Sequence, residues 1–377
     1  MINRIYAICK TCEEKFILRY NIGNQFPQRV NFFCDTCSSD LEIGYDEKRK
    51  SIIGGLIIID KEHDGIIKNL HPEIVIEEGR INDPQYFPSI EFMTKEDDLF
   101  LFKEYQYSID YYFKRWQILS LNFRLLKDKK YNQLQRRFNE TDNEIIKRKI
   151  LSDVVNCIDD FIVGKWEKIY ENLFTEFEAI KSSTNYNEFK TFLINEEEEM
   201  ILVLFDTLLD YFEAREELLI TLLAQKCNKP TIGLSSNISW KKIEMIYGNF
   251  YEVYGNLLHI PTALNNLKER NDYKSFNSQG FTFSNYLTID KAGKTANFLN
   301  NPNLKDLGDY YYPAYRNGTH HRSSKIDKDN QKIILITGKS SSTTTVVNFT
   351  EYIESCNEIY ARILILLKLS MHIIYEN

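Results

Sequence analysis

The sequence predicts a mainly α-helical protein with a small β-rich module at its N-terminus. Between residues 96 and 227, apolar side chains recur at intervals of three and four, which is the period of an amphipathic helix. Ahead of this segment, short apolar runs and two closely spaced pairs of cysteines are typical of strands around a metal site. A chain of 377 residues is long enough for two or three domains.

Composition and charge exclude several classes of protein. The hydrophobic share of 43% and the charged share of 27% are ordinary for a folded protein, so we expect little disorder. The net charge of −7 argues against a surface coated in positive charge for general nucleic-acid binding, but it is compatible with a local basic site. Residues 1–9 contain no apolar run long enough for a signal peptide, and the stretch 359–375 is interrupted by Arg362, Lys368 and His372. We therefore expect a cytoplasmic protein without a membrane role, and a buried helix over 359–375.

Residues 1–45 predict a metal module. Cys9 and Cys12 form one CxxC pair, Cys34 and Cys37 form another, and 21 residues separate the two pairs. Two residues between thiols allow one tight turn to present both sulfurs to one ion, and two such turns complete a tetrahedron. Four thiolates leave no open coordination position, so we expect structural zinc. The alternative, cysteines without metal, is disfavoured because a reducing cytosol opposes disulfides. The module resembles a zinc ribbon, a motif that by itself does not fix a function.

Residues 46–95 predict a β-rich connecting segment. The apolar runs at 52–59 and 74–76 indicate buried strands, which either extend the sheet of the first module or link it to the rest of the chain. Pro84 and Pro88 break any regular element, so we place a domain boundary near them.

Residues 96–377 predict the helical domain, with an irregular insertion near 271–308 where Asn, Ser, Gly and Lys become frequent. The four glutamates at 196–199 follow Asn195 and indicate a capped helix start with acids in its first turn. A metal site is the less favoured interpretation, because neighbouring helical positions point in different directions. Residues 114–150 contain eleven Lys or Arg and four Asp or Glu, which indicates an RNA-contacting face or, as the favoured alternative, a solvated helix surface.

A candidate catalytic motif lies near the C-terminus. If a helix begins at Pro313, Asn317 and His321 are four residues apart on one face, and the long side chain of Arg316 reaches round to join them. RNA is cleaved when its 2′-hydroxyl attacks the adjacent phosphorus, which requires proton transfer and stabilisation of a charged phosphorane. A histidine exchanges protons near neutral pH, a guanidinium holds two phosphate oxygens, and Asn317 orients either group. We expect no catalytic metal.

The elements after this motif support its interpretation. Residues 325–336 predict a hairpin or short strand, and residues 338–345 a polar loop. Asn348 with Glu351 predicts a capped start for a last helix that runs to about residue 375.

The run Tyr-Arg-Asn-Gly-Thr-His-His, followed by a β-like segment and a long apolar helix, resembles the HEPN superfamily. The motif of that superfamily is an Arg, then four to six residues, then a His, often with Asn after the Arg, and the match covers roughly the last 65 residues. The resemblance implies a HEPN-like helical bundle with Arg316, Asn317 and His321 as catalytic residues. His320 and Arg322 would contact RNA beside them. The extra His320, Arg322 in place of a small residue, and the irregular stretch before the motif depart from the family pattern.

The resemblance also implies a function. It implies a metal-independent endoribonuclease whose homodimer brings two motifs to one composite site. Its partners would be RNA and an antitoxin or a phage-derived trigger, and its role would be phage defence by abortive infection, or that of a toxin. Two alternatives stay open. One is a non-catalytic HEPN-like module that binds RNA, a nucleotide or a protein, and the other is a zinc-stabilised scaffold in which Arg316 and His321 are structural.

Overall fold

The structure is a computed structural model of the chain. It describes residues 2–22, 26–46, 48–72, 76, 79–86, 96–226, 240–278, 280–320, 324–327, 331–337 and 343–376. Side chains are described at these positions except 2, 96–110, 216, 220, 223, 224, 226, 240, 241, 319, 320, 337 and 343. The chain forms two compact units. The first contains Met1–Gln106, Glu213–Gly248 and Ala314–Asn357, and the second contains Tyr107–Phe212, Asn249–Pro313 and Glu358–Asn377.

The N-terminal part of the first unit is β-rich, as predicted. Its strands are β1 (Ile2–Cys9), β2 (Lys15–Asn21), β3 (Gln28–Phe33), β4 (Asp40–Tyr45), β5 (Ser51–Gly54), β6 (Leu56–Ile59) and β7 (Ile66–Leu70). One sheet has the strand order β6-β1-β2-β7 and the other has the order β3-β4-β5. The pairing of β2 with β7 is parallel and the remaining pairings are antiparallel. Strands β5 to β7 therefore extend the sheets built by the first four strands.

The core of this module follows from alternation along the strands. Side chains on one face of each strand are buried together, among them Phe16, Leu18, Val30, Phe32 and Leu41. The apolar run at 52–59 is not one buried strand, because Gly55 divides it into β5 and β6, which lie in different sheets. Gly55 has a φ of +68°, and a Cβ there would lie 2.5 Å from the carbonyl oxygen of Asp40, so the turn requires glycine. On the two strands Ile53 and Ile57 are exposed, contrary to the prediction of burial.

The rest of the chain is mainly helical, as predicted. The elements up to the insertion are α1 (Glu96–Lys127), α2 (Tyr131–Phe138), α3 (Asn143–Phe161), α4 (Lys165–Ile180), α5 (Tyr186–Asn195), α6 (Glu197–Glu213), α7 (Arg215–Lys226), α8 (Trp240–Leu257) and α9 (His259–Arg270). They are followed by α10 (Phe283–Thr288), short 3₁₀ helices at Lys291–Asn297 and Lys305–Gly308, α11 (Pro313–His320), β8 (Ser324–Asp327), β9 (Lys332–Thr337), β10 (Thr343–Asn348) and α12 (Phe349–Tyr375).

The final helix has the predicted start and the predicted burial. The backbone N–H of Asn348 donates to the Glu351 carboxylate at 2.9 Å, and the Asn348 amide donates to the same oxygen at 3.0 Å. Within the second unit Tyr360 is fully buried, stacks on Tyr211 at 3.7 Å and shares a hydrogen bond with the hydroxyl of Tyr112. In the described part of the chain, no helix is both long enough and apolar enough to cross a membrane.

The segment 271–308 has little regular structure but is firmly packed. The Tyr286 hydroxyl donates to the carbonyls of Leu258 and Lys294, both at 3.1 Å. Asn301 is buried and donates from its amide to the Glu176 carboxylate at 2.7 Å. Polar side chains thus satisfy the backbone and the buried carboxylate where no helix or sheet does so.

Candidate functional site

Helix α11 carries Arg316 and Asn317 of the candidate motif and begins at Pro313, the position from which the sequence predicted it. The Tyr315 ring stacks on Tyr352 of α12, with centroids 5.0 Å apart, and lies 5.4 Å from Tyr247 of α8. Gly318, one helical turn further on, is buried so closely against β9 that a Cβ would lie 2.7 Å from Leu335 Cδ2. One face of α11 is therefore fixed by two helices and a sheet.

Arg316 and Asn317 lie off this packed face. Asn317 is exposed and Arg316 is half-buried. The guanidinium Nη1 of Arg316 donates to the Asn317 Oδ1 at 3.2 Å, so the two side chains that the sequence grouped together are in contact. An amide oxygen that accepts from a guanidinium restricts its rotation, and a guanidinium held in this way is suited to bind a phosphate.

Three predicted site residues cannot be located from the geometry. His321 and Arg322 lie outside the described residues, and so does the side chain of His320. The structure thus brings together two members of the predicted catalytic trio, Arg316 and Asn317.

The strands that follow α11 form a three-stranded antiparallel sheet in the order β10-β9-β8. The predicted hairpin corresponds to β8 and β9. The predicted polar loop was wrong at its end, because residues 343–345 belong to β10 and pair with β9. Its first part, residues 338–342, lies outside the described residues. Sequence analysis also missed the tyrosines that hold α11 in place, although Tyr315 stands immediately before Arg316 in the chain.

The four N-terminal cysteines converge, as the spacing predicted. Their sulfurs all lie within 4.8 Å of one another, with Cys9 and Cys37 at 3.7 Å and Cys12 and Cys34 at 3.4 Å. Zn–S bonds of about 2.3 Å in a tetrahedron place the sulfurs about 3.8 Å apart, so the cluster has the dimensions of a zinc site. The cysteines could hold a metal ion such as zinc.

Two matching turns form this cluster. The N–H of Glu13 donates to the Cys9 carbonyl at 3.0 Å, and the N–H of Ser38 donates to the Cys34 carbonyl at 2.9 Å. Glu13 and Ser38 each directly follow the second cysteine of a pair, and both have positive φ, of 63° and 54°. Hydrogen bonds to the side chain and backbone of Ser39 lower the pKa of the Cys37 thiol to about 6, whereas burial raises the pKa of the Cys34 thiol.

The basic stretch at 114–150 resembles the favoured alternative, a solvated surface, because several of its cations form ion pairs. Four of its cations pair with carboxylates of the second unit at 2.6 to 2.9 Å: Arg115 with Asp160, Lys127 with Asp206, Lys129 with Glu198, and Lys147 with Glu197. These ion pairs neutralise four cations of the stretch, which lowers the positive charge that could contact RNA phosphates. The glutamate run does begin a helix with acids in its first turn, but Asn195 ends α5 instead of capping α6.

No protein family, no curated protein and no solved structure matches this chain. The resemblance to the HEPN superfamily therefore rests on the motif and on the order of elements around it.

Proposed function

We propose that the protein is a metal-independent endoribonuclease of the HEPN type. The observation that carries the proposal is the contact between Arg316 and Asn317 on the open side of a helix whose other face is fixed by Tyr315 and Gly318. A rigid backbone beneath two polar side chains is what a site needs to hold a phosphate in one position.

Each residue of the motif has a defined role in the proposed reaction. The 2′-oxygen of the substrate attacks the adjacent phosphorus, the bond to the 5′-oxygen breaks, and the products are a 2′,3′-cyclic phosphate and a free 5′-hydroxyl. His321 takes the proton from the 2′-hydroxyl or gives one to the leaving oxygen. Arg316 stabilises the negative charge of the phosphorane, and Asn317 holds the guanidinium in place. DNA lacks the attacking hydroxyl and would not be cut.

The assembly follows from the same proposal. The motif of one chain supplies one histidine for proton transfer, His321, since His320 is assigned to RNA contact, whereas the reaction needs both a base and an acid. Two chains that face each other across a two-fold axis would supply both, so we propose a homodimer. A role in phage defence or as a toxin, with an antitoxin or a phage-derived trigger as regulator, belongs to the same proposal. So does a structural role for zinc in the cysteine cluster.

The decisive experiment is cleavage of total RNA by the purified, zinc-loaded protein. Wild type is compared with Arg316→Ala and His321→Ala, and with Lys325→Ala as a control that removes an exposed cation from β8. We expect the two motif variants to lose about a hundredfold to ten-thousandfold in rate, while the control keeps the wild-type rate. Cyclic phosphate ends identify the route.

Other outcomes would contradict the proposal. Equal cleavage by wild type and both motif variants would show that Arg316 and His321 are not the catalytic residues. RNA binding that depends on Arg316 without any cleavage, in a protein of unchanged circular dichroism, would favour a non-catalytic binding module.

A further inference from the structure

A second candidate site lies in the second unit, apart from the motif. A cavity of about 300 Å³ opens where α5 meets α6, where α8 meets α9, and beside the chain that follows α10. Its polar lining includes Glu196, Glu199, His259 and Lys294. His259 and Lys294 are buried and form its inner end, whereas Glu199 is exposed and marks its mouth.

His259 offers a hydrogen-bond acceptor to the cavity. The ring is 6% exposed, and its Nδ1 lies 2.7 Å from the carbonyl oxygen of Asn256. A carbonyl only accepts, so Nδ1 carries the proton and Nε2 has the lone pair. Burial lowers the pKa of His259 to about 4, which keeps the ring neutral. Within the described part of the chain, Nε2 is buried and has no hydrogen-bond partner.

Lys294 offers a positive charge that has no counter-charge. It is 2% exposed, and its ammonium donates to the Leu287 carbonyl at 3.1 Å. No acidic side chain among the described residues forms an ion pair with it, although Lys291 in the same 3₁₀ helix pairs with Glu252. A buried ammonium without an anion is costly, so the inner end of the cavity favours an anionic group.

The glutamate run supplies the complementary charge at the mouth. Glu197 forms an ion pair with Lys147 of α3, and Glu198 forms one with Lys129 in the turn between α1 and α2. Glu196 and Glu199 line the cavity, and neither has a cationic partner in the part of the chain that the structure describes. Burial, followed by the charge of Glu199, raises the pKa of Glu196. The mouth therefore favours a cation or a strong hydrogen-bond donor.

The rest of the lining is apolar apart from Asn256. It consists of Met200, Val203, Val253, Leu257 and Leu287. Such a surface packs against an aliphatic group but offers neither a hydrogen bond nor a counter-charge to a second charged group.

We infer that the cavity binds an aliphatic α-amino acid. Its carboxylate would pair with the Lys294 ammonium, its ammonium would donate to His259 Nε2 and to Glu196, and its side chain would lie against the apolar walls. A simple anion would leave the glutamates and the imidazole lone pair unmatched. A simple amine would leave Lys294 without a counter-charge. A metal ion does not fit either, because His259 and the two glutamates do not form a cluster of metal-ligand dimensions.

The first test uses the histidines of the intact protein as reporters. The chain has six histidines, so selective ring labelling gives a simple NMR spectrum in which His259 is assigned from its loss in His259→Gln. We expect a saturable shift of the His259 ring with at least one of L-leucine, L-isoleucine, L-valine and L-methionine. Isocaproate lacks the amine of leucine and isoamylamine lacks its carboxylate. Each should bind about ten- to a hundredfold more weakly, because each loses charge-assisted hydrogen bonds.

Matched variants assign the protein groups. Lys294→Met and Glu196→Gln should each weaken binding of the preferred amino acid by about ten- to a hundredfold. Lys291→Met removes a lysine of the same 3₁₀ helix that already has its own counter-ion, and it should leave the affinity unchanged. The spectra of the other histidines check the fold. Absence of a saturable His259 shift with all four amino acids would overturn the inference. An affinity for the preferred amino acid that neither Lys294→Met nor Glu196→Gln weakens would also overturn the inference. RNA cleavage is not involved in either measurement.

Discussion

A buried ion pair on α12 gives the sharpest test of how the second unit is held together. Arg362 and Glu358 are 2% and 1% exposed, and the Arg362 Nη1 lies 2.5 Å from the Glu358 Oε2. The guanidinium also donates to the carbonyl of Asp306 at 3.0 Å, which fixes the end of the irregular segment to the helix. Glu358 accepts from the Trp166 indole at 3.1 Å. The pair therefore connects α12, α4 and the segment before α11.

We predict that Arg362→Met strongly destabilises this unit. The change removes one of the two cations that pair with the Glu358 carboxylate at 2.5 Å, Arg362 and Lys165, and it takes away the donor to the Asp306 carbonyl. Because Lys165 still offsets the carboxylate charge, we expect the lower end of the loss for a broken buried pair, about 3 kcal/mol. With an m-value of about 3 kcal/mol per molar urea, the unfolding midpoint falls by about 1 M.

The assay is urea unfolding followed by tryptophan fluorescence, because Trp166 lies beside the pair. Lys274→Met is the control. It breaks an ion pair with Glu188 in which the two side chains are 49% and 52% exposed, so it should cost less than about 1 kcal/mol. The double variant Glu358→Leu with Arg362→Met should be more stable than the sum of the single losses implies, since no uncompensated charge stays buried. A loss from Arg362→Met no larger than that of the control would refute the reasoning.

Three further outcomes are expected. Purified protein should contain one zinc per chain, and Cys34→Ser should lose the metal and the hydrogen-exchange protection of residues 2–46, both measurable by mass spectrometry. The unfolded state protonates His259 near its ordinary pKa of 6.5 and the folded state only at about 4. Lowering the pH through this window should therefore cost wild type about 3 kcal/mol that His259→Gln does not lose, as measured by urea unfolding. Gly318→Val should cost about 2 kcal/mol in thermal unfolding because it overpacks Leu335, and Leu335→Ala in the same chain should recover part of that loss.

The cysteine cluster was predictable because the geometry of each of its two pairs is local. The spacing of Cys9 and Cys12 already places two sulfurs on one turn, and the same holds for Cys34 and Cys37. What the spacing could not give is the sheet pairing around the cluster. The partners of β1 come from β2, its neighbour in the chain, and from β6, almost fifty residues further on. Such register depends on long-range packing and leaves no local pattern.

The helices were predictable where apolar periodicity is strong, and less so where polar groups are buried. Arg362 was expected to interrupt an apolar stretch, and the structure shows that it is fully enclosed with Glu358 one helical turn earlier. The spacing of the two residues, four apart, is a signal that sequence analysis could have used. The packing of 271–308 gave no such signal. Its order comes from single hydrogen bonds, such as that from Asn301 to Glu176, and these depend on the fold already being formed.

The candidate sites differ in how much the sequence revealed. The sequence indicated a shared site because Asn317 and His321 are four residues apart on a predicted helix and Arg316 can reach round to them, and the structure shows the contact between Arg316 and Asn317. The cavity at His259 could not be found in this way, since its polar groups come from three places in the chain and each was most simply interpreted as structural. The four consecutive glutamates show the physical reason. Glu196 lies between α5 and α6, and Glu197 to Glu199 are the first residues of α6, whose successive positions differ in direction by about 100°. Glu197 and Glu198 pair with Lys147 of α3 and with Lys129 in the turn after α1, whereas Glu196 and Glu199 line the cavity. The four glutamates look equivalent in the sequence, and only the packing of the surrounding helices and turns distinguishes the two that form ion pairs from the two that line the cavity. Glu196 and Glu199, which have no cationic partner among the described residues, are the two carboxylates with which a cationic group of a ligand would pair.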